Sequence, residues 1–411
     1  MDTTPSPTAR PDRTDWLIVG CGIVALAVAM GIGRFAFTPL MPLMLRDGTL
    51  TVAAGAEWAA ANYIGYLLGA LTAARFAANP RRGLQLALVG VALTTLAIVA
   101  TGPGTPPLAG ALLRGAAGVF SAWALVCTSS WGLAELARRQ VPQLGAWIYV
   151  GVGLGIALAG TLAWLGGRQP ARWLWLEMGL LASAGALFVG LKLRDAGSAA
   201  AAAAAAAAPA APPPPRAAAH GQMPLVLCYG TFGFGYIVPA TFLPAMARQQ
   251  VADPLVFGLT WPLFGLAAAL SVMAAARYLP AWPRRRVWAL AQGTMALGTV
   301  LPLATPSLWA LAASAVLVGG TFMVATMAGL QLARERLPAN PTPLLSRMTV
   351  AFAAGQILGP LLVRALGPGL LAGWDALAWA NAAATVLLLV SAAWLWRDTN
   401  PSPSILTKPL R

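Results

Sequence analysis

Twelve apolar blocks, each close to the length of a membrane-spanning helix, constrain this chain more than any other feature. A helical span of the bilayer's hydrocarbon core needs roughly 20 apolar residues. Within lipid only helices and closed barrels satisfy every backbone donor and acceptor. The blocks run at about 16–45, 52–77, 84–102, 108–134, 143–166 and 173–193, and then at about 224–246, 254–276, 287–305, 308–333, 344–366 and 370–396. Only 9% of the residues are charged, against about 25% in ordinary soluble domains. The expected fold is an all-α membrane protein of twelve transmembrane helices.

The blocks fall into two sets of six. Expected boundaries are a tail 1–15, an N-terminal half 16–194, a linker 195–222, a C-terminal half 223–397 and a tail 398–411. The linker carries ten consecutive alanines, Ala199 to Ala208, and four consecutive prolines, Pro212 to Pro215. The prolines stop any helix, so the segment reads as an extended connection. The tail before the first block is polar, and that block is too long for a signal-peptide core.

A net charge of +15 invites a nucleic-acid reading, but the basic residues recur in alternate loops rather than on one soluble face. The tails, the linker region and the loops after the second, fourth, eighth and tenth blocks hold 19 Lys and Arg. The opposite loops hold Arg46, Arg168, Arg172 and Arg248. The positive-inside rule then places both termini and the linker in the cytoplasm, here of a bacterial inner membrane. Cys21, Cys127 and Cys228 lie in apolar blocks without metal-type spacing, and the single histidine, His220, lies in the linker. No metal or cofactor is expected. An enzyme is not expected either, because the sequence has no cluster of His, Asp, Glu or Cys at one depth.

The two halves read as copies. A shift of 202 residues carries Gly31, Gly33 and Pro42 onto Gly233, Gly235 and Pro244, and Gly118 and Phe120 onto Gly320 and Phe322. It also carries Ala73-Ala74-Arg75-Phe76 onto Ala275-Ala276-Arg277-Tyr278. Two six-helix repeats in the same orientation form a parallel repeat, and in transporters the substrate site then lies near the midplane between repeats.

With its cytoplasmic linker and basic loops, this chain resembles the major facilitator superfamily, and within it the YbfB/YjiJ-type branch. The carrying segments are Gly31-Ile-Gly-Arg-Phe-Ala-Phe-Thr-Pro-Leu-Met-Pro42, Ala61-Asn-Tyr-Ile-Gly-Tyr-Leu-Leu-Gly-Ala70, Tyr149-Val-Gly-Val-Gly-Leu-Gly155 and Arg347-Met-Thr-Val-Ala-Phe-Ala-Ala-Gly-Gln-Ile-Leu-Gly-Pro360. The acidic residue usual after the superfamily's second helix is absent between Gly69 and Arg82. The resemblance implies a secondary transporter that moves a small organic solute by alternating access, coupled to an ion. A monomer in the lipid bilayer is expected. The alternative is a non-transporting receptor or scaffold, which usually carries a soluble domain that these short tails and loops do not provide.

Arg34 is the sharpest functional signal. A charge at the centre of a membrane helix costs about 2.5–3.5 kcal/mol on insertion scales, so it persists where it faces a cavity or a partner. It lies roughly 6 Å outward of its block's centre at 1.5 Å per residue. Arg114 lies about 10 Å outward on the fourth block by the same rise. Arg114-Gly115-Ala116-Ala117-Gly118 resembles the superfamily's Arg-x-x-x-Gly motif, which implies a coupling role. Two cations at similar depth favour an anionic substrate group. Three roles stay open for Arg34: holding substrate, capping carbonyls freed by Gly31, Gly33 and Pro39, or gating through an ion pair. Asn62, Tyr63, Tyr149, Tyr236 and Gln356 are further polar groups inside spans, read either as substrate contacts or as interhelical hydrogen bonds. Tyr236 is the repeat image of Arg34. Glu177, roughly 9 Å outward of its block's centre, is the deepest acid and the candidate for proton coupling, at a level where it could pair with Arg114.

Overall fold

In a computed structural model, the structure describes residues 11–195 and 222–397, except 78, 103, 252, 254–257, 280, 281, 338–341 and 368. The expected linker, apart from Asp195 and Gln222, the first ten residues and the tail 398–411 lie outside them. The described chain forms helices α1 Arg13–Arg46, α2 Val52–Ala77, α3 Pro80–Ile98, α4 Pro107–Arg138, α5 Gly145–Leu165 and α6 Ala171–Asp195. The second half forms α7 Met223–Gln250, α8 Thr260–Tyr278, α9 Arg284–Ala304, α10 Leu308–Arg336, α11 Thr342–Leu366 and α12 Ala376–Arg397. Among the described residues, eleven of these are long and apolar enough to cross a membrane. The twelfth, α2, has the length (26 residues), but Glu57, Asn62, Tyr63 and Tyr66 dilute its apolarity.

Several helix ends differ from the hydropathy reading because caps set them. α1 starts at Arg13 rather than 16. Asp12 caps it, accepting from Asp15 N while Asp15 accepts from Asp12 N, a reciprocal capping box. α3 starts at Pro80 rather than 84, with Asn79 accepting from Arg82 N and proline in the first turn. α12 starts at Ala376 rather than 370. The apolar run before it forms a tight turn closed by Leu371 and Trp374, with Ala372 and Gly373 at φ 51° and 81°. Asp375 then caps the helix through Ala378 N.

Helix pairing repeats between halves. α1 packs on α5 as α7 packs on α11, α2 on α4 as α8 on α10, and α3 on both α4 and α6 as α9 on α10 and α12. Packing also corrects the repeat register on one pair. A methyl on Gly118 would lie 2.1 Å from Asn62 O, and a methyl on Gly319 would lie 2.3 Å from Phe264 O. Phe264 is the image of Asn62 at 202, so Gly118 corresponds to Gly319, one residue short of the expected Gly320. On α4 and α10 the shift is therefore 201.

The halves meet along α5 with α8, α2 with α11, and α1 with α7. Close backbone approach makes the first contact: a methyl on Gly265 would sit 2.2 Å from Ala157 N. Small residues let membrane helices approach in this way.

Candidate substrate site

α1 changes pitch in its middle. Arg13–Leu26 and Phe37–Arg46 are α-helical, and Ala27–Phe35 between them is a π-helix. Such segments are rare and frequent at functional sites. The local sequence bounds it. In i→i+5 pairing the carbonyl of Arg34 would need an N–H from residue 39, which is proline and has none, so the wide pairing stops there and that carbonyl is left for another donor. A methyl on Gly31 would lie 2.3 Å from the carbonyl carbon of Gly155, so the backbone of α5 presses against this stretch.

The carbonyls of the wide turn take side-chain donors from α2 and α4. Arg114 Nη1 donates to Gly33 O at 3.0 Å and Arg114 Nη2 to Arg34 O at 2.8 Å. Asn62 Nδ2 donates to Arg114 O at 2.8 Å and lies 3.5 Å from Gly33 O. Ser121 Oγ donates to Ala29 O at 2.7 Å. The carbonyl-capping role considered for Arg34 thus falls to Arg114.

The Arg34 side chain turns the other way, toward the second half, and is 3% exposed. Its Nη2 donates to Tyr236 OH at 3.3 Å. One turn along, Thr38 Oγ1 donates to Ala240 O at 3.0 Å. Each residue meets the position 202 residues further on, so both pairs lie at the pseudo-two-fold axis. Tyr236 stands between Phe322 and Phe352, stacked at 5.5 and 5.6 Å with ring planes within 8°. Gln356 Nε2 donates to the same phenol oxygen. The Arg34 guanidinium lies 3.9 Å from the Tyr66 ring centre, 5.6 Å from Tyr63 and 5.3 Å from Phe35. Tyr63 OH pairs with Thr241 Oγ1 across the halves at 2.9 Å.

Polar demand remains unmet at this spot. Arg34 Nε and Nη1, Arg114 Nε, Asn62 Oδ1 and Gln356 Oε1 are buried without a hydrogen-bond partner. Among the described residues no carboxylate pairs with Arg34 or Arg114. Buried polar groups normally have partners, so three unpartnered donors and two unpartnered acceptors concentrated here mark a candidate place for a polar ligand.

The structure brings Arg34, Asn62, Tyr63, Arg114, Tyr236 and Gln356 into one cluster. Tyr149 and Glu177 lie apart. Tyr149 sits at the break between Gly145–Ile148 and Val150–Leu165 in α5, its hydroxyl 2.9 Å from Ser129 Oγ. Glu177 accepts from Gln169 at 3.2 Å, and the Arg114–Glu177 ion pair suggested by depth does not form. Sequence reading missed Tyr66, although it lies four residues after Asn62 on one helix face. It also missed Phe322, Phe352 and Thr241, whose proximity is a product of tertiary packing.

Comparison with curated protein sequences finds no match. The crystal structure of the nucleoside transporter NupG is similar at a TM-score of 0.66, with 13% identity, over 94% of this chain and 100% of that one. That of a D-xylose-proton symporter is similar at 0.67, with 13% identity, over 93% and 96%. At this identity the likeness concerns the fold alone. A family model described as "Uncharacterised MFS-type transporter YbfB" matches residues 26–394. The chain belongs to that family and is a multi-pass membrane transporter of the major facilitator type.

Proposed function

We propose that this transporter moves a small organic anion by alternating access, with Arg34 as the contact for its carboxylate or phosphate. The carrying observation is the buried Arg34 guanidinium at the junction of the halves, with Nε and Nη1 unpartnered and, among the described residues, no carboxylate beside it. An anion would supply the missing acceptors, and charge-assisted bonds of this kind are the strong ones. Tyr236 and Gln356 from the second half and Tyr63 and Asn62 from the first complete the surroundings, so both halves sense the bound solute. Arg114 acts on the backbone that presents Arg34. The membrane is the inner membrane of a bacterium, with both termini cytoplasmic, as the loop charges support. The protein works as a monomer. An ion gradient drives it, with Glu177 beside Gln169 as the first acid to test.

The test is uptake by proteoliposomes from a panel of carboxylates and phosphate esters, with a nucleoside and xylose as neutral controls. At least one anion should be transported and should stabilise the purified protein by RT ln(1 + [L]/Kd). Arg34→Gln should abolish both effects. Glu177→Gln should abolish the response to a pH gradient while leaving anion-dependent stabilisation intact. Transport of neutral solutes alone, or unchanged transport in Arg34→Gln, would overturn the reading.

A further inference from the structure

Arg34 has no acid to neutralise it among the described residues, yet it is buried in a state where the halves are joined. Polar bonds link the halves at Arg34–Tyr236, Thr38–Ala240, Tyr63–Thr241, Arg248–Pro42 and Glu57–Arg364. All of these lie from the level of Arg34 toward the side opposite the termini. A cation sealed there must find some substitute for water. The nearest electron-rich surface is the Tyr66 ring, 3.9 Å from the guanidinium carbon. Tyr63 and Phe35 are more than an ångström further off. Tyr66 is itself 7% exposed, so the contact is desolvated, the condition under which cation–π attraction is strongest.

We infer that Tyr66 is the stand-in counter-charge of the empty carrier. Its ring face holds Arg34 when no solute is bound, so the unloaded protein can close on the far side, and a bound anion takes over that work. Tyr66 is thus a positioning residue for the transport cycle that acts through Arg34. The inference rests on reading Arg34 as the anion contact.

The test needs no substrate. Spin labels are placed at two exposed far-side positions, Val52→Cys at the start of α2 and Leu370→Cys before α12 (64% and 74% exposed). The three native cysteines are buried. Distances are measured by pulsed electron resonance in nanodiscs without added organic anion. Tyr66→Leu should raise the ratio of far-side-open to closed molecules by about tenfold or more, the factor a desolvated cation–π contact supplies. Tyr66→Phe keeps the aromatic face and loses only the hydroxyl beside Arg34, so it should stay much closer to the parent than Tyr66→Leu. In an Arg34→Met background, Tyr66→Leu should change nothing further. A Tyr66→Leu distribution identical to the parent would overturn the inference. So would an equal shift with and without Arg34, because that would reveal a packing effect. A carrier that shows the expected distances but binds no anion would sink the proposed cargo and leave the role of Tyr66 standing.

Discussion

α1 and α7 hold equivalent places in the two halves, yet only α1 leaves α-helical pitch. Both carry glycines at matched positions (Gly31 and Gly33, Gly233 and Gly235) and two prolines each in their outer parts. α7 nevertheless runs as one α-helix over Met223–Gln250. The difference lies in the neighbours. Asn62, Arg114 and Ser121 donate to the carbonyls of α1. Their images in the register set by packing are Phe264, Ala315 and Phe322, none of which has a side-chain donor. A wide turn in lipid needs donors for its freed carbonyls; in the second half Gln292 donates to Cys228 O on α7, away from the images of Gly33 and Arg34. The duplicated scaffold thus yields an asymmetric centre, with a cation on one side of the axis and a phenol in an aromatic stack on the other.

The strongest way to break this comparison is to remove the donor. Arg114→Met leaves the carbonyl of Arg34 without its side-chain partner and Gly33 O with only the long 3.5 Å contact from Asn62. At about 1–3 kcal/mol per buried unsatisfied group, the loss is about 2–6 kcal/mol of stability. Phe322→Leu, at the image of Ser121, removes packing alone and should cost about 1 kcal/mol. Denaturant titration in mixed micelles measures both. Amide exchange between residues 33 and 38 should speed up in Arg114→Met, with no matching change near Tyr236 in Phe322→Leu. If the two variants cost the same, the carbonyl clamp is not what sets α1 apart.

A second pair of variants asks which constraint the halves share. A methyl on Gly31 would lie 2.3 Å from the backbone of α5, and a methyl on Gly233 would lie 2.3 Å from Phe352 O on α11. Neither neighbour is the end of a flexible side chain. Gly31→Ala and Gly233→Ala should therefore each cost about 1–3 kcal/mol, read by the same titration. A large cost in one and none in the other would show that the asymmetry extends beyond the carbonyl donors to the packing itself.

Much of this architecture was legible in the sequence because bilayer thickness imposes a length on every span. The 202-residue shift also placed Tyr236 opposite Arg34, since residues on a two-fold axis meet their own images. Helix ends were less legible. Hydropathy counts Leu370–Trp374 as membrane, but Gly373 and Asp375 make it a turn and a cap. The one-residue change of register on α4 and α10 was invisible because Gly320 and Phe322 offered a good match by letter while Gly319 makes the contact. The pitch change in α1 was beyond reach for a deeper reason. It depends on Asn62 and Arg114, tens of residues away, arriving at the same carbonyls. Within α1 only Pro39 hinted at it.

The bonds between the halves offer a smaller test. Tyr63→Phe removes one hydroxyl from the Tyr63–Thr241 bond and should cost about 0.5–1.5 kcal/mol. Thr241→Val should cost a similar amount. Because the two groups are partners, the double variant should cost less than the sum of the singles. Additive losses would mean that the bond contributes little to joining α2 and α7.

The smallest expected effect separates α1 from α7 at their first turns. Asp12 caps α1 reciprocally with Asp15, whereas Gln222 at the start of α7 makes no side-chain cap. The hydrogen bond from Asp15 N holds the Asp12 carboxyl below the usual carboxylate range, with Thr14 N and Arg139 adding to the effect. A carboxyl lowered in the folded state adds stability that is present above its unfolded value, about 3.9. That stability is lost as pH falls through the lower folded value. Amide exchange at residues 13–16 should therefore speed up, relative to the intrinsic rate, only below about pH 4. The first turn of α7 should show no such step. Asp12→Asn keeps an acceptor for Asp15 N but cannot titrate, so the acid step at α1 should shrink. A step of equal size in Asp12→Asn would show that the Asp12 carboxyl is not its source.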